Sequence, residues 1–214
     1  MTCTLFDPEV SSVLEGMHTA ADRDDPALLA KAEGTGGQQR ADLLADAFIP
    51  VSPDAGQLLY TLVRTAGKGT VVEFGTSFGI SAIYIAAALK DRGNGRLITT
   101  EIYPQKAERA RQFIEQTGLM DYVDLRVGDA QETLADCAPD VSFVFLDGMK
   151  SLYLPVLKQL EPKLIAGALV VGDDLDLFPA PLASYLEYVR DPANGYLSVM
   201  LPVGDAMELS TRIA

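Results

Sequence analysis

Acidic residues recur in this sequence where short apolar runs end: Glu73, Glu101, Asp129, Asp147 and the pair Asp173–Asp174. If the runs before Asp147 and Asp173 are neighbouring strands, the carboxylates of Asp147, Asp173 and Asp174 meet at one sheet edge. Three such groups repel one another unless a cation neutralises them. Oxygen-only donors suit Mg2+ or another hard divalent ion, with water or substrate completing an octahedron. Lys150 follows Asp147 by three residues. Beside a metal its ammonium gives up a proton more readily, and the amine can then take one from a substrate hydroxyl. Plainer readings exist for each: an aspartate can simply cap a helix, and Lys150 can be a surface cation. The one histidine, His18, lies far off in the chain and reads as a packing or surface residue, so no zinc-like nitrogen site is expected.

The first acid opens a glycine turn, Glu73-Phe-Gly-Thr-Ser-Phe-Gly79. Gly75 and Gly79 let the backbone turn sharply and approach a ligand that a Cβ would keep away. The spacing is GxxxG and lacks the GxGxxG whose second glycine makes room for a pyrophosphate. S-adenosylmethionine (SAM) carries no phosphate and needs instead a place for a carboxylate and an amine; Ser77 and Ser81, with nearby backbone amides, can supply it. A tight turn with no ligand is the competing reading. Glu101 lies 28 residues after Glu73, where an acid can accept both hydroxyls of a ribose. Asp129-Ala130 can meet an adenine amino group or merely cap the next helix.

The elements that position these residues follow from the pattern of apolar positions. Strands are expected at 70–74, 96–100, 123–127, 141–146 and 164–171, with helices at 80–90, 104–117, from about 131, and 152–160 with Pro155 in its first turn. Strand and helix alternating in this way imply βαβ units and a parallel sheet. Residues 196–201 and 207–213 read as a hairpin around Pro202-Val-Gly-Asp205, so the seven-stranded, mostly parallel sheet ends in an antiparallel pair. The expected fold is α/β and three-layered, with helices on both faces. The first fifty residues are polar and helix-like, with Gly34-Thr-Gly-Gly37 as a flexible break.

Size and composition set the outer limits. The chain has 214 residues, fits one domain over residues 1–214, and is 48% hydrophobic and 22% charged, ordinary for a globular protein. Its net charge of −13 argues against nucleic acid and anionic membrane as partners. Cys3 and Cys137 are far apart with no CxxC spacing, which points to a reducing compartment. The N-terminus reads as no signal peptide and no stretch suits a membrane span, so a cytoplasmic protein is expected.

Several motifs together resemble a known family. The run Phe143-Val-Phe-Leu-Asp-Gly-Met-Lys-Ser-Leu-Tyr-Leu-Pro155 is similar to the metal-site segment of catechol O-methyltransferase. Val51-Ser-Pro-Asp-Ala-Gly-Gln57, followed by Val72-Glu-Phe-Gly-Thr-Ser-Phe-Gly-Ile-Ser81, resembles the cofactor segments of that enzyme and of bacterial caffeoyl-CoA-type O-methyltransferases. Gly128-Asp-Ala-Gln131 and Val170-Val-Gly-Asp-Asp174 match in order and spacing, and the resemblance spans roughly residues 36–210. It implies a Rossmann-like, SAM-dependent O-methyltransferase with Val51, Ser52, Glu73, Gly75, Ser77 and Ser81 in the cofactor pocket. Glu101 and Ile102 would meet ribose and adenine, and Asp129, Ala130 and Gln131 the adenine edge. Asp147, Asp173 and Asp174 would hold Mg2+, and Lys150 would be the general base toward a small hydroxylated substrate. Residues 1–50 would form N-terminal helices and a lid over a catalytic core at 51–214, with residues 1–33 packing on a second copy in a homodimer.

The sequence departs from the family where Asp174 replaces the usual Asn, where Met149 replaces an aromatic wall residue after Gly148, and near Val199, where a late glutamate is absent. The resemblance therefore implies a roomier pocket for a larger phenolic or natural product. Competing classes are an RNA-modifying methyltransferase, disfavoured by the charge, a nicotinamide-dependent oxidoreductase, disfavoured by the glycine spacing, and a non-catalytic binding module.

Overall fold

The structure is a computed structural model that describes residues 3–35 and 37–213. Gly36, inside the expected glycine break, lies outside the described residues. Among the described residues, three α-helices precede the first strand: α1 (Pro8–Lys31), α2 (Gly37–Leu43) and α3 (Pro53–Thr65). Helix α1 buries Val10, Leu14, Met17 and Ala21, one face at three- and four-residue spacing, and these join the core of the chain itself. Pro53 occupies the first turn of α3, and the Ser52 side chain caps it by accepting the Ala55 N–H at 3.2 Å.

Strand and helix then alternate: β1 (Thr70–Phe74), α4 (Ile80–Arg92), β2 (Leu97–Glu101), α5 (Pro104–Gln116), β3 (Val123–Val127), α6 (Ala130–Thr133), β4 (Val141–Leu146), α7 (Tyr153–Leu160) and β5 (Leu164–Gly172). Helix α8 (Pro179–Arg190) and the strands β6 (Tyr196–Leu201) and β7 (Met207–Arg212) complete the chain. The seven-stranded sheet has the order β3-β2-β1-β4-β5-β7-β6. The first five strands are parallel, and β7 runs antiparallel to both β5 and β6. The hairpin thus inserts its second strand against the sheet and leaves its first at the edge.

Strand β4 shows why the sequence reads as it does. All six residues are buried; Phe143 and Phe145 face one core cluster, while Val144 and Leu146 face the other. A strand covered on both faces can carry apolar residues throughout. Helix α6 is a single turn rather than a full helix, and Pro155 sits in the first turn of α7 as expected.

Strand order reverses between β1 and β4, which creates the crevice where open α/β sheets bind ligands. Register aligns Phe74 with Thr100 and Leu146, and Leu146 with Gly172. The residues that follow, Gly75, Glu101, Asp147 and Asp173, therefore emerge along one edge. Gly75 has φ 103°, and a Cβ there would stand 2.7 Å from the backbone of Asp147 and Gly148. Replacing Gly75 by Ala is expected to destabilise the fold by ~2 kcal/mol or more. Calorimetry should show the thermal midpoint falling by roughly 5 °C; an unchanged midpoint would refute the close approach.

Candidate active site

The parallel register delivers the three aspartates to one point. Carboxylate oxygens of Asp147, Asp173 and Asp174 lie within 4.8 Å of one another. Asp174 adopts φ 65°, a left-handed conformation that turns its side chain back toward the others and lets its N–H reach Asp173 Oδ1 at 2.8 Å. Lys150, in the short helical turn before α7, places Nζ 2.6 Å from Asp174 Oδ2, 3.1 Å from Asp147 Oδ1 and 2.9 Å from the Tyr153 hydroxyl.

Burial raises the Asp147 carboxyl to about 6, the Asp174 charge adding to the rise and Lys150 opposing it. Asp173 is raised to about 8 by burial and by the charges of Asp147 and Asp174. Burial opposes the charge on Lys150, but Tyr153 and the two aspartates outweigh it and hold the ammonium well above its usual range. The lowered lysine pKa expected from the sequence depends on a divalent cation; carboxylates alone push it the other way.

The glycine turn sits beside this cluster. Glu73 is fully buried; its Oε2 accepts from Thr99 Oγ1, while among the described residues Oε1 has no hydrogen-bond partner. Burial lifts its carboxyl to about 7, against the nearby Ser81 and Thr99 hydroxyls. Glu101 accepts the N–H of Ser77 at 2.7 Å and of Tyr103 at 2.9 Å, so the Ser77 amide is engaged inside the protein. Burial nonetheless raises the Glu101 pKa.

Over the turn lies a strap, residues 47–50. Asp25, buried in α1, accepts the N–H of Phe48 at 2.8 Å and of Ile49 at 2.7 Å. Lys106 Nζ donates to the Ala47 carbonyl at 2.9 Å, and Ser77 Oγ donates to the Phe48 carbonyl at 3.0 Å. The Phe48 ring meets Phe78 edge-on at 4.7 Å, and the Arg109 guanidinium lies 4.5 Å from the Phe78 centroid. The cavity left between strap and turn is about 10 Å³, whereas ligand pockets run to roughly 300–1,000 Å³. A nucleoside-sized ligand enters only if the strap moves.

The remaining positions are distributed as follows. Val51 is buried and lines both this cavity and a second one of about 50 Å³; Ser52 lines the second and caps α3. Ile102 is 57% exposed, an apolar side chain facing solvent beside Glu101. Asp129 caps α6 by accepting the Gln131 N–H at 2.8 Å, Ala130 is buried, and the Gln131 carbonyl accepts from Gln159 Nε2. His18 packs against Tyr84.

The space expected at Gly148 is filled from within the protein. A Cβ on Gly148 would stand 2.5 Å from the Phe74 ring, so Phe74, not substrate, occupies that space. Met149 is exposed. An aromatic ring does stand near Lys150: the Phe178 centroid is 5.8 Å from Nζ and 5.8 Å from the Arg40 guanidinium. Asp205, in the turn of the C-terminal hairpin, lines the second cavity with Asp147, Asp173 and Asp174. Asp25, Lys106, Tyr153, Phe178 and Asp205 escaped the sequence reading. For Tyr153 and Asp205, proximity in sequence to Lys150 and to the hairpin turn was the only available signal.

Two outcomes follow. Asp25→Asn should speed amide hydrogen exchange at Phe48 and Ile49 about tenfold or more, given the strength of hydrogen bonds to a charged acceptor; unchanged exchange would refute the latch. Glu73 binds its proton more tightly folded than unfolded, so between about pH 4.5 and 7 its ionisation erodes stability as pH rises. Glu73→Gln should therefore be the more stable protein at pH 8, by up to about 3 kcal/mol in denaturant titrations, with the gap closing below pH 4.5. A gap that does not change with pH would contradict the buried carboxyl.

A sequence profile for a methyltransferase domain matches residues 72–175. Caffeoyl-CoA O-methyltransferase 1 of Eucalyptus globulus is 30% identical over 190 residues, covering 78% of this chain and 76% of its own length. Catechol O-methyltransferase of Niastella koreensis is 32% identical over 139 residues, 62% of each chain. The crystal structure of the Streptomyces achromogenes O-methyltransferase of tomaymycin synthesis, in complex with SAM, has a TM-score of 0.69 at 25% identity, covering 87% of this chain and 90% of that one. A putative O-methyltransferase from Klebsiella pneumoniae shares the fold, with a TM-score of 0.72 at 23% identity over 97% of this chain and 91% of its own. The glycine turn, the sheet order and these relatives agree, and the chain belongs to the class I O-methyltransferase family of the caffeoyl-CoA and catechol type.

Proposed function

We propose that the protein transfers the methyl group of SAM to one hydroxyl of a vicinal diol, a catechol-like small molecule held through a divalent cation. The carrying observation is the convergence of Asp147, Asp173 and Asp174 within 4.8 Å, with Lys150 Nζ at hydrogen-bond distance from two of them. The donors are all oxygen and largely buried, a set that fits Mg2+. Asp174 in place of Asn adds charge and strengthens that fit.

The cofactor end fits SAM on equally local grounds. Gly75 keeps the turn free of a Cβ, and the unpartnered Glu73 Oε1 is a buried acceptor beside Ser81, suited to an ammonium group. Glu101 suits the ribose hydroxyls once its amide bonds are exchanged, and exposed Ile102 offers an apolar face to adenine. Asp129, Ala130 and Gln131 would meet the adenine edge, and Val51, Ser52 and Ser77 would line the strap side of the cofactor. Residues 1–50 serve as helices and lid, and 51–214 as the core.

Bound together, the cation lowers the pKa of a chelated hydroxyl and SAM presents an electrophilic methyl. The rest falls to the chain. The three aspartates would hold the cation that positions the diol, and Lys150 Nζ would take the hydroxyl proton. Phe178, Met149 and Leu177 provide apolar surface for the substrate ring, and the strap shuts water out. A phenolic of catechol size or larger is the substrate class these surfaces suit.

The test is methyl transfer from SAM to a panel of catechols and hydroxylated flavonoids, with Mg2+ and with EDTA. Activity should require the cation, and Lys150→Ala should lower kcat by about 10²–10⁴. Full activity in EDTA would remove the cation from the proposal, and an unimpaired Lys150→Ala would remove the base.

A further inference from the structure

We infer that Tyr153 is the positioning residue of Lys150, the partner that keeps Nζ aimed when the aspartates are engaged by a cation; this rests on the proposal that Lys150 is the base. Nζ has three partners in the structure: Asp174, Asp147 and the Tyr153 hydroxyl. The first two are the same carboxylates that would hold the cation, and an oxygen committed to Mg2+ is a poorer acceptor for an N–H. Tyr153 has no such second duty.

The geometry makes its hydroxyl a fixed acceptor. Tyr153 is fully buried, its ring set edge-on to Phe74 at 6.3 Å and 75° and to Tyr185 at 5.5 Å and 82°. Its O–H donates to the Asp173 carbonyl at 3.3 Å, which turns the oxygen lone pairs toward Lys150. A phenol whose proton is already used can accept an N–H from Lys150 either as ammonium or as amine. The neutral amine has two N–H bonds and one lone pair. Tying one N–H to Tyr153 restricts rotation about the terminal C–N bond and narrows the directions the lone pair can take. The carbonyl that anchors the hydroxyl belongs to Asp173, next to the left-handed Asp174. One oxygen thus fixes the base relative to the turn that carries two of the three carboxylates.

A purely structural tyrosine would act through its ring, which Tyr153→Phe preserves. The experiment compares the full-length wild type, Tyr153→Phe, Lys150→Ala and the double variant with SAM, catechol and Mg2+. Tyr153→Phe should lower kcat about tenfold with KM for catechol and SAM unchanged, the loss from one mispositioned hydrogen bond. Calorimetric Mg2+ affinity should match wild type, since no cation ligand is altered. In the Lys150→Ala background the same substitution should cost nothing more, because the residue acts through Lys150. Wild-type kcat in Tyr153→Phe, with Lys150→Ala impaired, overturns the inference and leaves the base intact. Equal losses in both backgrounds, or weakened Mg2+ binding, also overturn it by showing a structural role. An active Lys150→Ala overturns both proposals together.

Discussion

Three carboxylates forced together at the ends of two adjacent parallel strands are the constraint on which the rest of the site depends. Register puts Leu146 beside Gly172, so Asp147 and Asp173 leave the sheet side by side with no freedom to separate. Burial there raises both pKa values, which means the fold is strained electrostatically wherever both are ionised. Lys150 relieves part of this, but one ammonium faces three acids. Such an arrangement contributes little to stability.

The two halves of the crevice share components rather than merely adjoining. Asp147 lines the small cavity at the glycine turn and the one beside the aspartates, and Ile49, Pro50 and Val51 line both as well. The backbone of Asp147 is also what Gly75 approaches most closely. A shift of the strap therefore changes the surroundings of both halves at once. The latch that holds it comes from outside the sheet, through Asp25 on α1 and Lys106 on α5. This gives the N-terminal helix a mechanical link to the crevice beyond its packing on the core.

What the sequence disclosed is what periodicity and strand ends disclose. The alternation of β1 to β5, the apolar run of β4 and the acids following each strand were all readable, because both depend on neighbours close in sequence. Helix α8 was not, since Pro179 and Pro181 mask its start and its buried Leu182, Tyr185 and Val189 form a sparse stripe. The strap was unreadable for a different reason. Ala47-Phe-Ile-Pro50 has no period, and its anchors, Asp25 and Lys106, lie tens of residues away on helices that look solvated. Gly148 misled: it reads as space, yet the space is filled by Phe74 from another strand. Side chains that converge only through tertiary packing, such as Phe178 between Lys150 and Arg40, leave no local trace.

Asp174 brings these threads to one residue. An Asn tolerates the left-handed backbone at this position with little cost, and it would leave Lys150 facing one carboxylate fewer. Aspartate makes the acidic cluster more negative and raises Asp173 further. It also forms the shortest contact to Lys150, at 2.6 Å. The same charge strengthens the hold on the Lys150 ammonium, and on the proposed function a divalent cation would compete for the same set of oxygens. Under the proposed function a divalent ion would win that competition on charge, and displacing Nζ from Asp174 would leave Lys150 with fewer anionic neighbours. Its affinity for a proton would then fall from a high starting point toward the range in which a lysine can act as a base. Under this exchange the added carboxylate would make Lys150 a better base only when a cation is present, and proton removal would be tied to the moment at which a diol is chelated.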